Sequence, residues 1–453
     1  MRALTLGALL LGATALGCGG GSSSPGGGDG GAGGEGGGSG DGGGGGGDAG
    51  DAGKTGDSGG GGDGGAHPEG GTTEGGTGDG GTATGLHVVM GTGGQPGHIV
   101  DGSGTTVILH GADRSGTEYS CLGGGFFDGP ADQTGIDAMK TWKINAVRVP
   151  LNADCWLGVN GVPTAQAGAK YQSAISTWVN LITSNGMVAI LDLHWTAPGT
   201  YLANAQVPMA DADHAPTFWS QVAKAYAGNG SVIFDLFNEP YITDWACWTS
   251  GGTCAQWNGS SPTGSNYTVA GMAALLQAVR KAGANNVVIL GGLAYSSDMS
   301  SWVSSVQSIP GLAAPLSGIS IANVAASWHA YDFNSQQSGC PSQYNGYSGT
   351  CNTAAVTAAN TSATKVFAAG FPIVLGETGI SAYSASTAAS FSAAGLTSIQ
   401  GWLDGMLTYM EGQGQGYLGW SWNTDTPPVL VTDYTGTATP YFGATYKAHL
   451  SKY

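Results

Sequence analysis

Charge is scarce in this chain. Charged residues make up 9% of its 453 positions, with 13 Lys or Arg against 30 Asp or Glu. Nothing basic is clustered, which argues against nucleic acid as a partner. The formal net charge of −17 favours solubility and predicts nothing about fold. Long apolar runs are also missing. Leu4–Leu16, behind the single positive charge of Arg2, is too short to span a membrane stably. No CxxC or HxxxH pattern accompanies the cysteines, so a zinc site is not expected. Gly123-Gly124-Gly125 is no GxGxxG turn and follows a Cys-containing loop, so no nucleotide site is visible.

Residues 19–85 lack aromatics and almost all large apolar side chains. More than half are Gly, mixed with Ser, Asp, Thr and Ala. Such a segment cannot bury enough surface to offset its ordering entropy. It reads as a disordered tether with an r.m.s. span of roughly 45 Å. A calcium-binding glycine-aspartate repeat is the rival, but the fixed period and the large apolar residue of each repeat are absent. Ten acidic residues lie between Asp29 and Asp79, so much of the negative charge sits on the tether.

Residues 1–18 read as a secretory signal. It ends Ala15-Leu16-Gly17-Cys18, which resembles a bacterial lipoprotein cleavage site, in which the Cys becomes the lipidated N-terminus. The expectation is an exported protein held at the cell envelope, or at an outer-membrane surface, through a lipid on Cys18. A plainly secreted protein is the alternative. Of seven cysteines, removing Cys18 leaves an even six: Cys121, Cys155, Cys247, Cys254, Cys340 and Cys351. Six allow fifteen pairings. Proximity in sequence favours Cys121–Cys155, Cys247–Cys254 and Cys340–Cys351.

Residues 86–453 hold all thirteen Trp. From Leu86 to His110, short strands broken by Gly, Pro and Asp101-Gly102 suggest a β-hairpin leading into a first barrel strand. Apolar runs follow at Val107–Gly111, Asn145–Val149, Val188–Leu193, Val232–Phe237, Val287–Gly291, Ala326–Ala330, Ile373–Gly376 and Tyr417–Trp420. Amphipathic stretches separate them, among them Tyr171–Thr183, Pro216–Tyr226, Val269–Lys281, Ala354–Ala368 and Leu396–Met410. Eight β/α alternations in this length predict an α/β fold, the (β/α)8 TIM barrel. An open doubly wound sheet would need a phosphate-binding turn or another ligand crevice.

Two of the runs end in glutamate, in Leu236-Phe237-Asn238-Glu239-Pro240 and in Val374-Leu375-Gly376-Glu377-Thr378-Gly379. Two facing carboxylates are what hydrolysis of a glycosidic bond requires, one to protonate the leaving oxygen and one to attack the sugar carbon. In a barrel, the C-terminal strand ends share one face. That face would gather Arg148, His194, Asn238, Glu239, His329, Tyr331, Glu377 and Trp422 from six strands.

These positions resemble glycoside hydrolase family 5, the cellulase family. The carriers are Arg148-Val149-Pro150, Leu191-Asp192-Leu193-His194, Asn238-Glu239-Pro240, His329-Ala330-Tyr331, Gly376-Glu377 and Trp420-Ser421-Trp422, with Arg114-Ser115-Gly116-Thr117-Glu118-Tyr119 in support. The resemblance covers residues 86–453 and implies retention through a glycosyl-enzyme intermediate, with no metal and no cofactor. Glu239 would be the acid/base, its pKa raised. Glu377 would be the ionised nucleophile, held by donors such as Arg148 and Tyr331. Asn238 would donate to the sugar 2-OH, His194 and His329 would bond the substrate or the acid, and Trp422 would stack on the sugar ring. Asp192 and Asp235, each inside a strand, could reach the barrel interior and bind Arg148 but are left out of the site, and Glu118 is expected in a loop salt bridge rather than lining a subsite.

Trp156, Trp195, Trp245, Trp248 and Trp257 fall in βα segments on the same side, and at least two of them are expected to stack sugars, with Trp195 and Trp248 as the candidate platforms. The expected partner is a β-linked polysaccharide and the expected state a monomer. An endo-β-1,4-glucanase leads, a mannanase or another β-glucanase of the family is the near rival, and a non-catalytic surface glycan-binding protein is the alternative of another class.

Overall fold

Eight apolar runs fold as parallel strands and close on themselves. The computed structural model describes residues 85–257, 265–309, 323–332 and 361–453. The expectations for residues 1–84, including Cys18, for the Cys340–Cys351 bridge and for the first part of the 354–368 helix lie outside these residues. The barrel order is β3 (His110–Asp113), β4 (Ala146–Asn152), β5 (Val188–Trp195), β6 (Val232–Asp235), β9 (Val288–Gly291), β10 (Val324–Tyr331), β11 (Ile373–Gly379) and β12 (Gly416–Gly419), back to β3. This is the expected (β/α)8 barrel. Each strand overlaps its expected run, and the strands are buried almost throughout, as barrel strands covered on both faces must be.

The helices follow their apolar spacing. Ala169–Ser184 buries Tyr171, Ile175, Trp178, Val179 and Ile182 along one stripe. Ala215–Tyr226 opens with Pro in its first turn, where no backbone donor is lost. Gln133–Thr141 begins at Asp132, whose side chain accepts from the Gly135 amide.

The N-terminal hairpin is present as β1 (His87–Val89) paired antiparallel with β2 (His98–Val100). Leu86, Val88 and Ile99 form one apolar cluster with Leu109, Val188, Val287 and Val374 from the strand starts, so the hairpin closes the bottom of the barrel. An antiparallel ribbon not foreseen in the sequence, β7 (Gly252–Trp257) with β8 (Ser265–Val269), rises from the loop after β6. The Cys247–Cys254 disulfide clips that loop and Cys121–Cys155 joins the loops after β3 and β4, both as expected.

At the bottom face the last helix, Phe442–Leu450, is tied down by His449, whose side chain is buried. Its Nε2 lies 3.0 Å from Glu411 Oε1 and its Nδ1 lies 2.6 Å from Asp404 Oδ1. An imidazole with a carboxylate at both nitrogens donates twice only when protonated. Burial opposes that charge, but the bonds to Glu411 and Asp404 outweigh it and raise the pKa of His449 above the usual 6.5. Burial likewise opposes the Glu411 charge, and its bonds from His449, Tyr417 and Tyr453 pull it down to about 2. A raised histidine stabilises fully below its unfolded pKa and stops doing so as pH rises through the folded value. Asp404 is half exposed and screened, so Glu411 carries most of the effect. His449→Gln is expected to cost about 2 kcal/mol at pH 6 and clearly less at pH 10, read by denaturant titration. An equal cost at both values would contradict a charged lock.

Candidate active site

Arg148 stands in the middle of β4 with no solvent exposure. Its guanidinium has five donors, and nearly every direction is filled. Nε donates to Asp235 Oδ2 at 3.1 Å, Nη1 to Asp113 Oδ1 and to Glu377 Oε1 at 2.9 Å each, and Nη2 to Asn238 Oδ1 at 2.7 Å. Asp192 Oδ2 lies 3.2 Å from Nη2. Arg148 thus binds side chains from β3, β5, β6, β11 and the loop after β6. Burial alone would lower its pKa, but the surrounding carboxylates hold it well above its ordinary value. One cation cannot neutralise all of them. Burial pushes Asp113 and Asp235 well up and Asp192 to about 7, against the pull of the Arg148 charge.

Backbone irregularity aims the next layer. In the β10–β11 ladder Trp328 pairs with Leu375 and His329 pairs with Glu377, so Gly376 is passed over. Such a bulge re-aims the following side chain. Only Gly fits there, since a Cβ would lie 2.5 Å from Ser327 Oγ and 2.9 Å from His329 Nε2. Glu377 is then held by Arg148 at one oxygen and by the Tyr331 hydroxyl at the other, 2.7 Å away. Burial first, and then the charges of Glu377 and Glu239, keep Tyr331 a neutral donor by raising its pKa.

Glu239 follows β6 and is held differently. His329 Nδ1 lies 3.0 Å from its Oε1, and Gln206 Nε2 donates to its Oε2 at 3.3 Å and to its carbonyl at 2.9 Å. Burial drives His329 down to about 3, so the ring is neutral, and burial raises Glu239 to about 7. His329 Nδ1 is also 3.6 Å from Glu377 Oε2. An oxygen of Glu239, an oxygen of Glu377 and a nitrogen of His329 lie within 4.8 Å of one another. Carboxyl groups this close suit attack by one of them, whereas an intervening water needs about 6.5–9.5 Å.

His194, at the end of β5, places its Nδ1 2.6 Å from Asp192 Oδ2, and burial lowers it to about 4, so it too is neutral. Its ring stacks on Trp420, with centroids 5.4 Å apart and planes 10° apart. Asn238 gives its amide oxygen to Arg148, which leaves its NH2 free to donate.

The structure brings together Arg148, His194, Asn238, Glu239, His329, Tyr331 and Glu377. It does not bring Trp422. That residue has no exposed surface and packs edge-on against Trp142 at 4.9 Å, and Trp420 takes its place at the mouth. Trp248 is not a platform either. It is fully buried, and its indole donates to the Gly291 carbonyl at 2.9 Å. Trp156 is likewise in the core. Trp195 stays at the surface, 6.2 Å from the Tyr119 ring. Glu118 makes no salt bridge among the described residues. It is buried, accepts from the Gly116 amide at 2.7 Å, and is raised by burial to about 8. Asp192 and Asp235 belong to the Arg148 cluster. Asp113 and Gln206 escaped the sequence reading altogether. Asp113 closes β3, two residues beyond the expected run Val107–Gly111, and no local signal marks Gln206.

A closed eight-stranded parallel barrel with two differently held carboxyl groups facing at its mouth is the architecture of a barrel glycosidase. The family model described as Cellulase (glycosyl hydrolase family 5) matches residues 100–426, well over half of the chain. The chain belongs to this family. It is similar to Endoglucanase E-5 of Thermobifida fusca, 24% identical over 149 residues, 33% of this chain and 28% of that protein. It is also similar to Endoglucanase MaCel5A of Microbulbifer sp., 27% identical over 143 residues, 31% of this chain and 24% of the other. The chain thus spans about a quarter of the length of these relatives. Among solved structures it resembles the β-glucanase SdGluc5_26A of Saccharophagus degradans, with TM-score 0.53 and 17% identity, covering 82% of this chain and 94% of that one. That likeness shows the fold.

Removing Arg148 strands four buried carboxylic groups. Arg148→Ala is expected to lower stability by about 3–5 kcal/mol in denaturant titration, beyond any loss of activity. Gln206→Ala removes a donor to the charged form of Glu239. Its titration should move upward, seen as an alkaline shift in the falling limb of kcat/KM. An unmoved limb would separate Gln206 from the acid.

Proposed function

We propose that this chain hydrolyses internal β-1,4 linkages of β-glucan with retention of configuration. The observation that carries this is the close approach of Glu239 and Glu377 in unlike surroundings, one raised by burial to about 7 and the other bonded to Arg148 and Tyr331. Glu377 attacks the anomeric carbon while the proton of Glu239 passes to the departing oxygen. An ester between sugar and Glu377 results. A water then attacks the same carbon, gives its proton to Glu239 and frees Glu377. The Asn238 NH2 donates to the 2-hydroxyl, and the neutral His194 and His329 bond the substrate and the acid without adding charge. Trp420 offers the sugar an apolar face that His194 backs.

Glucan is favoured over mannan by the names of the relatives, both endoglucanases. For its setting, we propose an exported monomer with a signal of residues 1–18, a Gly-rich linker of residues 19–85 and a catalytic domain of residues 86–453, anchored by a lipid on Cys18. Ala15-Leu16-Gly17-Cys18, the even count of the other cysteines and the two formed disulfides support export.

Reducing-end release should be high on carboxymethylcellulose and barley β-glucan and low on galactomannan; the reverse order would make the enzyme a mannanase. Glu377→Gln should lose at least about a thousandfold in kcat while still binding polymer. Turnover unchanged in that variant would favour a glycan-binding protein. Wild-type kcat/KM should fall as pH rises past about 7, where Glu239 gives up its proton.

A further inference from the structure

The loop after β5 reaches Glu239 through Gln206, yet residues 201–210 contain neither helix nor strand. No ladder of their own fixes that side chain. The stretch is fixed from outside instead. Val207, Pro208, Met209 and Ala210 are buried. The Pro208 carbonyl accepts from the amide of Tyr241, just beyond the acid, at 2.9 Å. Further on, the loop runs antiparallel along β8. The Ala270 amide donates to the Ala210 carbonyl and the Ala212 amide to the Thr268 carbonyl, at 2.9 Å each, and Asp211 pairs with Val269. The loop is a strap, and the β7–β8 ribbon is its anchor.

One side chain joins the two. Along β8, Tyr267 and Val269 are buried while Asn266 and Thr268 are exposed, so Tyr267 lies on the inner face. Its hydroxyl accepts from the Met209 amide at 3.0 Å and donates to the Met209 carbonyl at 2.5 Å. Both backbone groups of Met209 are buried in an irregular stretch, where leaving them unbonded would be costly, and one phenol serves both. Burial raises the pKa of Tyr267, so it stays a donor. Between Met209 and Gln206 stand Val207 and Pro208. Proline fixes its own φ and confines the residue before it, which here is also β-branched. The connector is short and stiff, so fixing Met209 fixes Gln206. The ribbon is itself tied down. Cys254 of β7 is bridged to Cys247 in the helix Trp245–Ser250, and Trp248 of that helix donates to the Gly291 carbonyl of β9 at 2.9 Å.

We infer that Tyr267 is a positioning residue for the acid: by clamping Met209 it holds Gln206 against the Glu239 carboxyl. The inference rests on the reading of Glu239 as proton donor. Glu239 also faces His194, Arg148, Asp192, His329, Glu377, Tyr295 and Tyr331. None of these is on the strap or on β8, so loss of the Tyr267 hydroxyl reaches the acid through Gln206. A donor at Glu239 Oε2 favours the ionised form and fixes the plane of the carboxyl group.

Tyr267→Phe removes the clamp and keeps the ring. On a β-1,4-gluco-oligosaccharide of five units, the falling limb of kcat/KM should move up by about half a pH unit, the scale of one hydrogen bond. Below that limb kcat/KM should fall about fivefold, because the proton is less well aimed. On dinitrophenyl β-cellobioside, whose leaving group needs no proton, it should fall by less than about twofold, which also reports a folded site. In Gln206→Ala/Tyr267→Phe neither quantity should move beyond its value in Gln206→Ala, since both changes act on one contact. Thr268→Ala, on the outer face of the same strand, should leave the limb in place. An unmoved limb in Tyr267→Phe, equal losses on both substrates, additive effects in the double variant or an equal shift in Thr268→Ala overturns the clamp and leaves the glycosidase reading intact. A wild-type protein that hydrolyses neither substrate overturns both.

Discussion

The buried guanidinium of Arg148 is the contact on which the site depends. It bonds Asp113, Asp235, Asn238 and Glu377 and lies beside Asp192. An ion cluster with no exposed surface is poor value for stability, since desolvation offsets most of the attraction. Its use here is geometric. A planar fork with five donors fixes the directions of its partners. Through them it sets the Glu377 oxygen, the orientation of the Asn238 amide and the spacing of five barrel strands at once.

Above that cluster, two carboxyl groups of the same chemistry are driven apart in behaviour. Glu377 accepts from Arg148 and Tyr331, donors to an anion. Glu239 has a neutral imidazole and one amide about it, and burial raises it to about 7. His329 lies between the two and is itself too deeply buried to be charged. The proposed division of labour between Glu239 as acid and Glu377 as nucleophile thus follows from which donors each glutamate meets. The bulge at Gly376 is a local departure from regular backbone that aims Glu377 at this point.

The fold was legible because each barrel strand is a short apolar run bounded by turn residues and each helix repeats its apolar stripe. The glutamates, the histidines, Arg148 and Tyr331 were legible because they end or interrupt such runs. Trp422 was misread for a simple reason. In Trp420-Ser421-Trp422 both aromatics are plausible, and only three-dimensional packing tells that Trp142 claims the second one. Trp248 shows the same limit, since a loop tryptophan can fold inward and bond a carbonyl. Asp113 and Gln206 mattered through partners far away in the chain, and no local pattern announces such a partner. The ribbon β7–β8 was hidden in a loop read only for its aromatics and cysteines.

The central claim is that Glu377, held by Arg148 and Tyr331, forms the covalent bond to sugar. A 2-deoxy-2-fluoro-β-cellobioside with a good leaving group slows breakdown of that ester more than its formation. Mass spectrometry of the digested, inactivated protein should then find one added 2-deoxy-2-fluorocellobiosyl group, on the peptide that contains Glu377. An adduct on Glu239, or turnover to a product of inverted configuration without any adduct, would contradict the account.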